Sequence, residues 1–182
     1  MCGIAGIVHT DPGHPVSPEL LRRMTTAMAH RGPDSDGFHF ERGMGLGHRR
    51  LSIIDLSTGD QPMFNEDRTV VVIFNGEIYN FQALREALLA RGHRSATRSD
   101  TEVIVHGYEE HGPDWVARLR GMFTIALWDE RNRRLLLARD RAGKKPLYYV
   151  HDAERLAFSS ELKGLLQDGG LKREVSSEAL HD

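Results

Sequence analysis

A chain of 182 residues has the size of one domain, and 40% hydrophobic with 27% charged residues is typical of an ordinary globular protein. This composition excludes a disordered or collagen-like chain. With 24 basic and 26 acidic residues the net charge is −2, too balanced to indicate a partner such as nucleic acid or a membrane surface.

The single cysteine, Cys2, cannot form a disulfide within the chain, which suits a reducing compartment. The first residues lack the basic leader and long apolar region of a signal peptide. No apolar run approaches the ~20 residues of a membrane span. The sequence therefore predicts a soluble, cytoplasmic protein.

In the first half of the chain, the apolar run 4–8 predicts a buried strand. Ser17, Pro18 and Glu19 form a helix-start signal, and the helix is expected to end before 30–34. A glycine-rich hairpin is expected over 37–47. A polar loop is expected over 55–68, and loops of this length are often functional.

In the second half, residues 69–74 predict a strand covered on both faces. Asn80 and Asp100 are candidate N-caps of two helices, the first of which ends at Gly92. Apolar runs joined by short turns predict two hairpins, 122–128 with 134–138 and 147–150 with 156–159. Short links favour antiparallel pairing, so we expect a layered α+β sandwich. Residues 176–180 resemble a helix start, and a helix of one turn is unstable alone, so the chain is expected to continue.

The first hypothesis about chemistry is that Cys2 is a nucleophile at the N-terminus. A small residue at position 2 generally permits removal of Met1, which leaves Cys2 with a free α-amine. Because the amine has a reference pKa of ~7.7–8.0 and the thiol ~8.5, one group can act as a base for the other. The alternative is a cysteine with no chemical role.

Other polar residues have two interpretations each. Asn75-Gly76 is a strong hairpin-turn signal, or else an oxyanion hole formed by a side-chain amide and a backbone N–H. Arg50 is one half of a solvated arginine pair, or it binds a carboxylate. Asp100 caps a helix, or it binds an ammonium group. The histidines show no metal-ligand spacing in the sequence, so no metal site is predicted.

Taken together, these residues fall in a series of blocks in a fixed order. They are MCGIAG at 1–6, HRGPDSDG at 30–37, GHRRLSIIDL at 47–56, QPM at 61–63, FNGEIYN at 74–80, SDTE at 99–102, RDR at 139–141 and KPLYY at 145–149. With them the chain closely resembles the N-terminal glutaminase domain of glutamine-hydrolysing asparagine synthetases, which are class II glutamine amidotransferases. The resemblance implies an N-terminal-nucleophile (Ntn) hydrolase fold, a four-layer αββα sandwich of two stacked antiparallel sheets.

The resemblance also implies a role for each residue of the site. Cys2 is the expected nucleophile, and its own α-amine the base. Asn75 and the N–H of Gly76 form the expected oxyanion hole. Substrate glutamine is expected to meet Arg50 at its α-carboxylate, Asp100 and Glu77 at its α-ammonium group, and the backbone of Leu51, Ser52, Ile53 and Ile54 along the pocket.

The implied reaction is hydrolysis of L-glutamine to glutamate and ammonia through a γ-glutamyl thioester on Cys2. Residues 2–170 would form the amidotransferase domain, and 171–182 a linker or helix towards a C-terminal synthetase domain. That domain would use ATP, Mg²⁺ and the ammonia to convert aspartate to asparagine, and the assembly allows a homodimer. Its Ser-Gly-Gly-x-Asp-Ser pyrophosphate loop does not occur in this sequence, so only the glutaminase half-reaction is expected here, without a cofactor. The alternatives are a different ammonia acceptor, or a catalytically silent domain that regulates or binds a partner.

Overall fold

The computed structural model describes residues 1–52 and 59–174. Ile53 and Ile54, expected in the pocket, and the helix start expected at 176–180 lie outside these residues. Within them the strands are β1 Gly3–His9, β2 Ser35–Glu41, β3 Met44–Arg50, β4 Met63–Phe64, β5 Val70–Ile78, β6 Gly121–Asp129, β7 Arg134–Arg139, β8 Tyr148–His151 and β9 Arg155–Ser159. The helices are α1 Pro18–Thr26, α2 Phe81–Leu89, α3 Glu102–His111, a 3-10 helix Gly112–Arg118 and α4 Leu162–Leu165.

The strands form two antiparallel sheets. One has the order β2-β3-β1-β9-β8, with β1 at its centre, and the other has the order β4-β5-β6-β7. Every pairing in the second sheet is also antiparallel. The two expected hairpins are β6–β7 and β8–β9, and their registers confirm the antiparallel prediction.

Two sheets and two helical layers stack into four layers. Helices α1 and α4 pack on the first sheet, α3 packs on the second, and β5 faces β1 and β3 between the sheets. A separate hydrophobic cluster fills each of the three interfaces. The αββα sandwich predicted from the sequence is therefore confirmed.

Strand β5 is buried on both faces. Val71 and Ile73 enter the cluster between the sheets, whereas Val72 and Phe74 enter the cluster beneath α3. Alternation of side chains along a strand explains why consecutive residues enter different cores. The prediction of a strand covered on both faces is confirmed.

Asn75-Gly76 lies inside β5, opposite Thr124 and Phe123 of β6, and does not form a hairpin turn. A Cβ atom at Gly76 would stand 2.2 Å from the carbonyl oxygen of Met122. Glycine is required there because the two backbones approach too closely for any side chain. The turn interpretation of this dipeptide was wrong.

The helix caps differ from the sequence predictions in part. Ser17 caps α1, since its hydroxyl accepts a hydrogen bond from the Leu20 amide. Asn80 stands at the N-cap of α2, but its side chain bonds the backbone of Arg118 and Arg120 instead. Asp100 does not cap α3, because its carboxylate accepts the Ile78 amide at 2.8 Å.

Candidate active site

A cavity of about 370 Å³ lies where the N-terminus meets the ends of β3 and β5. It is lined by most of the residues expected in the site, namely Cys2, Arg50, Leu51, Asn75, Gly76, Glu77 and Asp100. Ser52 does not line it; its amide donates to Asp34 at 2.7 Å. Lining residues that were not among the predicted site residues are Met1, Gly59, Gln61, Phe74, Ser99, Thr101, Met122 and Lys145.

The Cys2 thiol contacts the backbone of the residue that follows β3. The amide of Leu51 donates to Sγ of Cys2 at 3.4 Å, and the Leu51 carbonyl oxygen lies 3.7 Å from the same sulfur. These two contacts hold the sulfur against the end of β3. Because β1 begins at Gly3 and pairs with β3 on one side and β9 on the other, the sulfur is held by the middle of a sheet.

Arg31 holds the N-terminal segment in place through the backbone of Cys2. Its Nε donates to the carbonyl oxygen of Cys2 at 2.8 Å, and its Nη1 donates to Glu161 at 3.0 Å. Although partial burial opposes ionisation of Glu161, hydrogen bonds from Arg31, Lys163 and His30 hold the pKa of that carboxyl at about 2. Arg31 was not predicted as a site residue, although it belongs to the HRGPDSDG block.

Asn75 presents an amide group to the cavity. The residue is 1% exposed, and its Nδ2 has no hydrogen-bond partner among residues 1–52 and 59–174. An unpaired buried donor costs stability, and such costs are typical of groups retained for function. The backbone N–H of the next residue, Gly76, is the second donor expected at this point.

Phe74, the residue before Asn75, is held through both its backbone N–H and its carbonyl oxygen. Gln61 Oε1 accepts the Phe74 amide at 2.6 Å, and the carbonyl oxygen of Phe74 lies 3.2 Å from His48 Nε2. Burial, together with the charge of Arg50, lowers the pKa of His48 to about 4. His48 is therefore neutral near pH 7, and its Nε2–H donates to Phe74.

A buried cation stands at one side of the cavity. Arg50 is 5% exposed, and its Nη1 bonds Asp60 Oδ1 at 2.8 Å. Asp60 also accepts the Ser35 hydroxyl at 3.0 Å. The Arg50 guanidinium can bind a planar carboxylate through two parallel N–H groups.

Two acidic residues, Asp100 and Glu77, also line the cavity. Asp100 is 4% exposed, so burial raises the pKa of its carboxyl, and the negative charge of Glu77 raises it further. The hydrogen bond from the Ile78 amide opposes this rise. A ligand ammonium group beside both carboxylates would relieve their repulsion.

Lys145 adds a second basic residue to the lining. It follows a turn organised by Asp140, whose carboxylate accepts the amides of Phe123, Lys144 and Lys145 at 3.0 to 3.1 Å. Arg139 Nε also donates to the Lys145 carbonyl oxygen at 2.7 Å. The KPLYY block was the only sequence signal for this residue.

The two stacked antiparallel sheets, with a cysteine immediately before the central strand, define an Ntn-hydrolase amidotransferase fold. The family model for the glutamine amidotransferase domain matches residues 1–182, and the chain belongs to this family. In the part of the chain that the structure describes, no helix combines the length and apolarity needed to cross a membrane.

The chain is also similar to curated asparagine synthetases. Asparagine synthetase [glutamine-hydrolyzing] 2 of Bacillus subtilis is 44% identical over 100% of this chain, which corresponds to 24% of that relative. Asparagine synthetase [glutamine-hydrolyzing] 3 of Arabidopsis thaliana is 42% identical over 92% of this chain and 29% of its own length. The chain thus spans about a quarter of the length of the relatives it matches.

Two solved structures share the fold. The glutamine phosphoribosylpyrophosphate (PRPP) amidotransferase from B. subtilis aligns with a TM-score of 0.73 at 19% identity, over 90% of this chain and 43% of the other. A structure of the allosteric regulatory enzyme of purine biosynthesis aligns with a TM-score of 0.75 at 20% identity, over 91% and 43%. At these identities the likeness concerns the fold alone.

Proposed function

We propose that the chain hydrolyses L-glutamine to glutamate and ammonia through a γ-glutamyl thioester on Cys2. The observation that carries the proposal is that one cavity holds a thiol, an unpaired buried amide, a buried cation and two carboxylates. Glutamine needs all four, since its side-chain carboxamide must be attacked while both charges of its amino-acid head are bound.

The first step of the proposed reaction requires removal of Met1, so that Cys2 carries the α-amine. That amine takes the thiol proton, and the sulfur attacks the carboxamide carbon. In the present chain burial lowers the pKa of the Met1 α-amine, and the charges of Arg31 and Lys145 lower it further. Similar surroundings at Cys2 would keep the amine in its basic form near neutrality.

The tetrahedral intermediate places a negative charge on the former carboxamide oxygen. Asn75 Nδ2 and the Gly76 N–H are the proposed donors to this oxygen. The α-ammonium group of Cys2 then protonates the leaving nitrogen, the C–N bond breaks, and ammonia departs. Water, deprotonated by the same amine, attacks the thioester and releases glutamate and the free thiol.

The two ends of the amino-acid head have separate proposed partners. Arg50 binds the α-carboxylate, and Asp100 with Glu77 binds the α-ammonium group. The backbone of Leu51, Ile53 and Ile54 completes the proposed pocket. A fixed cation and fixed anions select a zwitterionic amino acid over a simple amide. A simple amide has no charged head, so it would leave the buried charges of the protein without a partner.

The wider role is carried over from the relatives' names and the length comparison. We propose that residues 2–170 are the amidotransferase domain and 171–182 lead to a synthetase domain that uses the ammonia to convert aspartate to asparagine. ATP and Mg²⁺ would act in that domain, because the 182 residues contain no Ser-Gly-Gly-x-Asp-Ser loop to hold them. A cytoplasmic location and a homodimer complete the proposal, and transfer to another acceptor is its alternative.

The proposal is tested by measuring glutamate and ammonia released from glutamine by the purified chain. Cys2→Ala should abolish release, whereas His151→Asn, an exposed control on β8, should leave it unchanged. Intact mass should show that active protein lacks Met1. Full hydrolysis by Cys2→Ala, or by protein that retains Met1, would contradict the mechanism. The gene's reading frame downstream of residue 182, searched for the pyrophosphate loop, tests the synthetase domain.

A further inference from the structure

Four potential metal ligands meet on the helical side of the second sheet, in residues that the proposed reaction does not use. Glu66 lies in the turn between β4 and β5, His93 follows α2, and His106 and Glu109 lie one turn apart on α3. One ligand atom from each lies within 4.8 Å of the others. Only His106 and Glu109, at i and i+3, are neighbours along the chain, which explains why the sequence predicted no metal site.

The distances between these four side chains fit a single small ion, with a different oxygen of Glu66 nearest to each imidazole. His106 Nδ1 lies 3.3 Å from Glu109 Oε2 and 3.5 Å from Glu66 Oε2. His93 Nδ1 lies 3.8 Å from Glu109 Oε2 and 3.9 Å from Glu66 Oε1. Tetrahedral ligands at about 2.0–2.1 Å from a zinc ion are ~3.4 Å apart, so small side-chain movements suffice to close the site.

The outer nitrogen of His93 is hydrogen-bonded to a carboxylate, and a second carboxylate lies near the outer nitrogen of His106. His93 Nε2 bonds Glu110 Oε1 at 3.0 Å, and His106 Nε2 lies 3.7 Å from Glu102 Oε1. This arrangement is the usual surrounding of a metal-bound histidine, since the carboxylate fixes the ring and its tautomer. At His93 it places the Nε2 proton outwards and leaves the Nδ1 lone pair facing the cluster, whereas His106 Nε2 has no hydrogen-bond partner among the described residues.

With that tautomer the cluster needs a positive charge at its centre. The Nδ1 atoms of both imidazoles and the carboxylates of Glu66 and Glu109 converge within a few ångströms, and His106 is 3% exposed. Either a cation or a proton on an imidazole has to offset this concentration of negative charge. The geometry of four separate ligand atoms fits a cation, whereas one proton is shared by only two atoms.

We propose that Glu66, His93, His106 and Glu109 bind one Zn²⁺ ion. Two imidazoles with two carboxylates suit zinc, whereas Mg²⁺ and Ca²⁺ prefer oxygen ligands only. The ion links the turn before β5, the segment after α2 and helix α3. By linking these three segments, zinc stabilises the helical layer against the second sheet.

The test is zinc titration of the metal-free chain in a Cys2→Ala background, which removes the thiol that could itself bind zinc. Calorimetry should give one Zn²⁺ per chain, and zinc should raise the temperature of unfolding. Cobalt(II) should show the intense visible absorption of tetrahedral coordination. Cys2→Ala/His93→Asn should lose all three effects, and Glu110→Gln should weaken binding roughly tenfold through the outer carboxylate.

The control is Cys2→Ala/His151→Asn, which removes an exposed histidine far along the chain and should bind zinc unchanged. Glu66→Gln serves as a second ligand variant, since Glu66 is 45% exposed and its replacement does not open the core. The proposal is overturned if zinc does not bind, or if it binds equally well after His93→Asn and Glu66→Gln. Glutamine hydrolysis plays no part in these readouts, so failure here is distinct from failure of the proposed function.

Discussion

The guanidinium of Arg50 and the carboxylate of Asp60 form an ion pair of 2.8 Å at the rim of the cavity, although the Arg50 side chain is 7% exposed and that of Asp60 68%. A carboxylate of the protein therefore bonds the cation that we assign to the α-carboxylate of glutamine. Substrate has to compete with Asp60 for Arg50, or share its N–H groups.

Asp60→Asn should lower KM for glutamine about two- to fivefold, because partly exposed ion pairs contribute ~1 kcal/mol or less. The value of kcat should not change. Steady-state kinetics measures both, with Asp36→Asn as the matched control, since Asp36 pairs with the neighbouring Arg49 at 2.9 Å. A higher KM for Asp60→Asn would instead make Asp60 part of the binding surface.

Asn75→Ala should reduce kcat by about 10²–10³ with little change in KM, because an oxyanion donor acts mainly on the transition state. The variant should unfold at a temperature close to that of the parent, since Nδ2 of Asn75 bonds no group in the described ranges. An unchanged kcat would remove Asn75 from the oxyanion hole. A large loss of stability would assign it a structural role.

Gln61 is a positioning residue, which acts through the Phe74 amide that precedes Asn75. Gln61→Met should lower kcat by roughly tenfold, because a misplacement of about 1 Å is costly in catalysis. Gln61→Glu retains the accepting oxygen and should restore most of kcat. Equal losses in both variants would show that the hydrogen bond to Phe74 does not matter.

The low pKa of His48 predicts that the folded chain loses stability in acid. Its pKa is about 4 in the folded chain and 6.5 in a model compound, so between these values only the unfolded chain binds the proton. Stability should therefore be full above pH 6.5 and fall by roughly 3 kcal/mol as the pH drops to 4. Urea unfolding of the parent and His48→Gln measures this slope, which the variant should lack.

Glu161 provides the internal comparison for that experiment. Its pKa is about 2 against a model value of 4.5, so its contribution is complete above pH 4.5 and lost only below. Glu161→Gln should weaken the fold at pH 7 yet keep the slope between pH 6.5 and 4. A slope that disappears in Glu161→Gln and persists in His48→Gln would contradict both assignments.

The sequence predicted the sandwich and most of the candidate residues that the structure brings to one cavity, but it could not decide between two local interpretations of Asn75-Gly76. The dipeptide favours a turn, and only its pairing with Thr124 and Phe123 of β6 makes it part of a strand. Asp100 was likewise a plausible helix cap from its sequence, but in the structure its carboxylate accepts a hydrogen bond from the Ile78 amide. Both outcomes depend on residues more than 20 positions away, which local propensity does not sense.

The supporting contacts were not predictable for the same reason. Arg31 reaches Glu161 across 130 residues of sequence, and Gln61 acts on a strand that begins after a turn. Their residue types carry no signal, because arginine and glutamine are ordinary on a protein surface. The block resemblance marked their neighbourhood without assigning them a contact.

The burial of strand β5 also determines which amino-acid substitutions this domain tolerates. Each residue from Val70 to Asn75 is at most 5% exposed, so the strand has no outward face on which substitutions can accumulate harmlessly. A saturation-mutagenesis library selected only for folded, soluble protein would already be depleted over residues 70–74. Selection for glutamine hydrolysis would then add Asn75 and Glu77 as new intolerant positions, which separates the chemistry of the strand from its architecture in a single experiment.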